Sequence, residues 1–177
     1  MTSELPGWWH IVWTTFLAWP PKDPRGNWGD LSDLYAGLAA QHGSIPMSDP
    51  LPGRWQGKPN PAEALVLSPA ARELLATSLH ELAETDRLAG DTPIRALAVQ
   101  PQAVQIVLAC PAEELQQRIG RLKSRSATLL SFDPSTGIAG EGTWSKGFWW
   151  ARLEREELVQ AAEAFVANSS PANGPAS

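Results

Sequence analysis

A single cysteine, Cys110, stands in a chain of 177 residues, and that scarcity excludes an internal disulfide framework and any metal site built on several thiolates. Tyrosine is as rare. Tyr35 is the only one, so chemistry that needs a phenolic nucleophile has one residue to draw on. Of three histidines, His42 and His80 are not at metal-ligand spacing with one another or with the cysteine, while His10 lies on the first predicted strand. No glycine-rich phosphate loop and no Gly-x-Ser-x-Gly elbow occurs. Nor does any apolar run reach about 18 residues, the length that spans a bilayer. With no basic-then-apolar leader at the start, the expectation is a cytoplasmic protein without a membrane partner. Positive charge is also short: Lys and Arg total 14 against 19 Asp and Glu, a net charge of −5. That balance weighs against broad attraction to a phosphate backbone, because counterion release needs clustered cations.

What the chain does have is apolar content of 43 %, enough for a real core, and nine tryptophans. The expectation is a single domain over residues 1–168 and, by composition, a disordered tail over 169–177. Trp8, Trp9, Trp13, Trp19 and Trp28 come early, Trp144, Trp149 and Trp150 late, with Trp55 between. Such rings serve as core or as stacking platforms. Trp8 to Phe16 is aromatic and β-branched, which predicts a first strand, with Trp9, Ile11 and Trp13 on one face and Trp8, His10 and Val12 on the other. From Pro20 to Pro61 the chain is dense in Pro, Gly, Asp and Ser and reads as an insertion, largely loop, with a weak helical window at Leu31 to Ala40. Three roles stay open for it: functional, packed through Trp28 and Trp55, or mobile.

Ser68-Pro69 is an N-cap followed by a first-turn proline, and Ala71, Leu75, Leu79 and Leu82 recur at helical spacing, predicting a helix to about Leu88. Ile94 to Cys110 reads as a hairpin turning at Gln100-Pro101-Gln102. Its second arm is uncharged on both faces, which suits the middle of a sheet. There Ala103, Gln105 and Val107 share one face, and Val104, Ile106 and Leu108 the other. Pro111, Glu113 and Glu114 start another helix with a buried stripe at Leu115, Ile119, Leu122 and Ser126. The stretch Gly142 to Trp150 leads into a late strand, and a last helix runs from Glu154 to about Asn168, with Leu158, Ala161, Ala162, Phe165 and Val166 on its apolar side. This order predicts an α+β fold: a ferredoxin-like four-stranded antiparallel sheet with helices on one face, plus the long Pro/Gly-rich insertion after the first strand.

Two stretches resemble a known family. The run Gln100-Pro101-Gln102-Ala103-Val104-Gln105-Ile106 is similar to the central strand of HUH-type single-tyrosine transposases, in the REP-associated tyrosine transposase branch. The opening of the chain is similar to that of a transposase-like branch through Trp9, His10, Trp13, Thr14, Thr15, Trp19, Pro21, Asp23, Arg25 and Gly26. Leu122 to Ser126 and Gly142 through Trp150 also resemble segments of that family, the second being its region that leads into a late strand. The resemblance implies a nickase scaffold in which two strand histidines, at i and i+2, hold a divalent cation while a tyrosine on the last helix attacks the phosphate.

By the same resemblance, the two histidine positions are Ala103 and Gln105, the tyrosine position is Phe165, and a helper ligand falls at Ser169. All four are degenerate. The expectation is no catalytic residue, no metal ligand and no cofactor, the ancestral Mg or Mn site being lost. Candidates for nucleic-acid contact are the basic cluster Arg118, Arg121, Lys123 and Arg125, together with Lys146, Trp144, Trp149, Trp150, His10 and Arg25. For the cluster the bland alternative is a solvated helix face, and for His10 a hydrogen-bonded strand histidine. Three readings result. One is an inactive transposase relative that weakly binds single-stranded or hairpin DNA or RNA; another is a protein-interaction module or homodimer on the same scaffold. The third is an active nuclease with ligands relocated to His10 or Tyr35.

Overall fold

A computed structural model describes residues 7–18, 28–48, 60, 62–85, 93–133 and 142–169. Arg25, Trp19, Trp55 and the rest of 20–27, 49–59 and 61, together with 134–141 and the residues beyond Ser169, lie outside the described residues. The elements in order are β1 (Gly7–Thr14), α1 (Gly29–His42), α2 (Pro69–Thr85), β2 (Ile94–Val99), β3 (Ala103–Cys110), α3 (Leu115–Phe132), β4 (Trp149–Leu153) and α4 (Glu156–Ser169). A short 3-10 turn, Ala112–Glu114, leads into α3. The four strands form one antiparallel sheet in the order β2-β3-β1-β4. Order and connectivity, with α2 crossing from β1 to β2 and α3 from β3 to β4, follow the ferredoxin-like pattern expected from the sequence.

The two central strands are those with unbroken apolar character. Every residue of β3 is buried, and β1 pairs with it in a register that sets Ile11 against Ile106, Val12 against Gln105 and His10 against Val107. Alternation then divides the core into two layers. Trp9, Ile11, Trp13, Val104, Ile106 and Leu108 pack with Ala71, Leu75 and Leu79 of α2 and Leu115, Ile119 and Leu122 of α3. Val12 and Val107 pack on the other side with Leu31, Tyr35 and Leu38 of α1 and Leu158, Ala162 and Val166 of α4. The expectation of helices on one face therefore holds for the two crossover helices only. Both faces of β1 and β3 are apolar and need cover, and α1 and α4 supply it on the second face.

Local chemistry accounts for the helix ends. The Ala71 amide donates to Ser68 Oγ at 3.2 Å, the cap predicted for α2. Gly43 ends α1 at φ 88°, ψ −177°, a conformation essentially reserved for glycine. The insertion is thus less loop-like than its composition implied: Leu31, Tyr35 and Leu38 recur at helical spacing and are buried. After α1 the chain lies along the outer edge of β4, where Ser48 N donates to Trp150 O and Arg152 N to Pro46 O, both at 2.8 Å. This edge is paired and covered. Cys110 is the buried packing residue expected, its thiol pushed up to about 11 mainly by burial.

Among the described residues, the buried Thr14 Oγ1 and Trp13 Nε1 have no hydrogen-bond partner. Thr14 is 0 % exposed, and its Oγ1 makes no hydrogen bond among the described residues. Valine keeps the shape and strand preference while removing the unpaired hydroxyl. Thr14→Val is expected to raise unfolding stability by about 1 kcal/mol, read as a higher urea midpoint at unchanged slope; a lower midpoint would show that the hydroxyl is satisfied.

Candidate functional site

Two elements far apart in sequence meet at the start of β3. Strand alternation aims Ala103 and Gln105 toward α4, while α4 brings Phe165 and, one turn later, Ser169 to the same place. α4 is held on the sheet by Val159, Ala162 and Val166 and by Arg95 of β2. The Arg95 guanidinium reaches Glu156 at 2.7 Å and Glu163 at 2.8 Å and lies 5.3 Å from the Trp8 ring centroid. Solvent screens these ion pairs, so each contributes little individually, but together they join α4 to β2.

Together Ala103, Gln105, Phe165 and Ser169 line one cavity of about 320 Å³, shared with Ala18, Trp28, Asp30, Leu31, Gln100, Pro101 and Gln102. The four positions assigned by resemblance are thus brought together. Ser169 closes α4 instead of opening the tail, and its hydroxyl donates to Phe165 O at 2.7 Å.

Behind Gln105 runs a buried polar chain. An amide oxygen only accepts, so the 3.0 Å contact between His10 Nε2 and Gln105 Oε1 is donated by the imidazole. That leaves Nδ1 bare to accept from the Tyr35 hydroxyl at 2.7 Å. Gln105 Nε2 in turn donates to Gln100 Oε1 at 3.1 Å, and Gln100 Nε2 to Ser169 O at 3.4 Å. Packed edge-on against Trp149 and fully buried, His10 is held neutral: burial takes its pKa down to about 4, against a smaller upward pull from Gln105. Burial likewise pushes the Tyr35 phenol above its ordinary range. The network carries no charge at neutral pH, and neither group is poised for proton transfer there.

A divalent cation does not fit these residues. Ala103 has no donor atom, Gln105 Oε1 is already taken by His10, both His10 nitrogens are engaged, and Phe165 has no oxygen. Among the described residues no group of three or more His, Cys, Asp or Glu is placed to hold a metal ion.

The nucleic-acid candidates do not converge on this cavity. Arg118, Arg121, Lys123 and Arg125 belong to α3, which covers the opposite face of the sheet. Arg118 is buried and pairs with Glu114 through two guanidinium nitrogens. The Lys123 ammonium donates to Ser145 O and Gly147 O, each at 2.7 Å, and burial lowers its pKa to about 8. Arg121 is half-buried, while Arg125 and Lys146 are exposed. Trp144 is tied to α3, its indole N–H donating to Lys123 O at 3.0 Å and to Ser126 Oγ at 3.2 Å. Trp150 is half-buried edge-on against Trp9. Trp149, 1 % exposed, and His10, 0 % exposed, are core residues and not surface contacts. Trp149 and His10 are therefore corrected from candidate contacts to core residues, and the basic residues of α3 lie on the sheet face opposite the cavity, because helices on opposite faces share no groove.

Sequence reasoning passed over Trp28, Asp30, Gln100, Gln102 and the role of Tyr35. For Tyr35 a signal existed, since a lone tyrosine on a buried helical stripe must satisfy its hydroxyl from another element. No protein-family model matches this chain, and no curated protein sequence matches it.

Proposed function

We propose that this protein is a non-cleaving relative of single-tyrosine transposases that binds single-stranded or hairpin nucleic acid without cutting it. The observation that carries this reading is the convergence of Ala103, Gln105, Phe165 and Ser169 on one cavity. A chance likeness in short motifs gives no reason for positions on β3 and at the end of α4 to meet. The same four residues carry the inference of inertness, because a methyl, an engaged amide and a phenyl ring supply neither a metal ligand nor an attacking oxygen. Relocating the chemistry to His10 or Tyr35 is disfavoured by their burial. As a dimer surface the cavity is poorly suited, for Asp30, Ser169 and three glutamines make it a polar hollow, not an apolar patch.

Electrostatic support for binding is small, since Arg118 and Lys123 spend their donors internally. Gel shifts with hairpin and single-stranded oligonucleotides are expected to show binding at micromolar protein. Two phosphate contacts at about −0.7 each give a salt slope near −1.4. No cleavage is expected with manganese. Salt-independent absence of binding removes the nucleic-acid reading, and manganese-dependent scission removes the claim of inertness.

A further inference from the structure

We infer that the cavity at the head of β3 takes one unpaired nucleobase bearing an exocyclic amino group, edge-first, with no phosphate inside. This rests on the nucleic-acid reading above and specifies which part of the strand enters.

Size comes first. Ligand pockets run from about 300 to 1,000 Å³, so a hollow of about 320 Å³ accepts a single ring system and little more. Its lining then narrows the chemistry. Two aromatic side chains, Trp28 before α1 and Phe165 on α4, offer apolar surface to a flat ring. Three amides line it: Gln105 and Gln100 are engaged with His10, each other and Ser169 O, while Gln102 presents both a donor and an acceptor, the pairing that reads the edge of a base.

Some of these polar groups are unspent. The Gln105 and Gln100 amides are linked to each other and to the wall, Gln105 Nε2 donating at 3.1 Å and Gln100 Nε2 at 3.4 Å to Ser169 O. The side chains of Trp28, Asp30 and Gln102 make no hydrogen bond among the described residues. Asp30 decides the sense of the ligand. A carboxylate only accepts, so it suits an amino group and repels a phosphate. Adenine, cytosine and guanine carry that amino group; thymine and uracil do not.

The cavity is also rigidly backed. The His10–Tyr35 pair holds Gln105 from behind, and Gln100 N donates to Ala103 O at 2.8 Å across the hairpin turn. A preorganised lining loses less on binding than one that must be ordered.

The test uses the full chain with labelled single strands of equal length: oligo(dC), oligo(dA), oligo(dT) and an abasic strand with the same phosphates. Anisotropy is expected to give oligo(dC) and oligo(dA) about tenfold tighter binding than the abasic strand, within what one stacked base contributes, with oligo(dT) weaker. Ala103→Leu, which fills the hollow, and Gln102→Ala, a turn residue outside the core, are each expected to erase that difference while leaving the circular dichroism spectrum unchanged. If strands bind but the abasic strand binds equally, or both variants leave base preference intact, the cavity assignment is overturned and the nucleic-acid reading stands. If no strand binds but cytidine shifts the side-chain amide resonances of Gln102 and Gln105, the cavity assignment stands and the nucleic-acid reading falls. If neither strands nor cytidine bind, both are overturned.

Discussion

Unfolding stability should fall by about 2 kcal/mol between about pH 7.5 and pH 5, with most of that loss carried by His10. In the folded chain its pKa is depressed from 6.5 to about 4, chiefly by burial. Above 6.5 both states hold a neutral ring and nothing is lost. Between 6.5 and 4 the unfolded chain takes up a proton that the folded chain refuses, so acid favours unfolding; below 4 both are protonated and the loss levels off at roughly 3 kcal/mol. The carboxylates act in a lower window. Glu156, whose pKa is lowered by its hydrogen bond to Arg95, loses its contribution only as pH falls through and below its ordinary range near 4.5. Urea denaturation at the two pH values, repeated on His10→Gln, separates these effects. The variant cannot titrate at this position, so its two curves should nearly coincide, and an undiminished acid loss in His10→Gln would refute the assignment to the imidazole.

Placing imidazoles at Ala103 and Gln105 should create a divalent-metal site. The two side chains share a face of β3 and line one cavity, so the double variant Ala103→His with Gln105→His places two nitrogens at the spacing that the family resemblance requires, beside the existing His10. Manganese at about 100 times its Kd is then expected to stabilise the variant by about 2.7 kcal/mol, and the unaltered chain by much less. Adding Phe165→Tyr supplies a phenolic oxygen, and on the proposed reading the triple variant should form a strand adduct that survives denaturing electrophoresis. A folded double variant whose melting temperature ignores manganese would show that these positions do not correspond to the family's ligands.

Much of the element plan was legible locally. Ser68-Pro69 marked the start of α2, Gln100 to Gln102 marked the hairpin turn, and the uncharged run from Val104 marked a central strand. Each signal rests on residues within a few positions of one another. Less legible was α1, because Pro, Gly and Asp around it masked a short stripe of Leu31, Tyr35 and Leu38. The candidate site was half visible. Its β3 and α4 members came through motif likeness, whereas Trp28, Asp30 and Gln102 belong to no motif and join the cavity only by packing.

By itself the sequence determined which side chains share a strand face, that positions 103, 105 and 165 carry Ala, Gln and Phe, and that acidic residues outnumber basic ones. Those follow from the two-residue strand period and from residue identity alone. Only the tertiary structure decided that α1 and α4 cover the second sheet face, that His10 is sealed between Gln105 and Tyr35, and that the basic face of α3 is turned away from the cavity. Such facts depend on which surfaces of distant segments meet to exclude water, and no window of neighbouring residues contains that information.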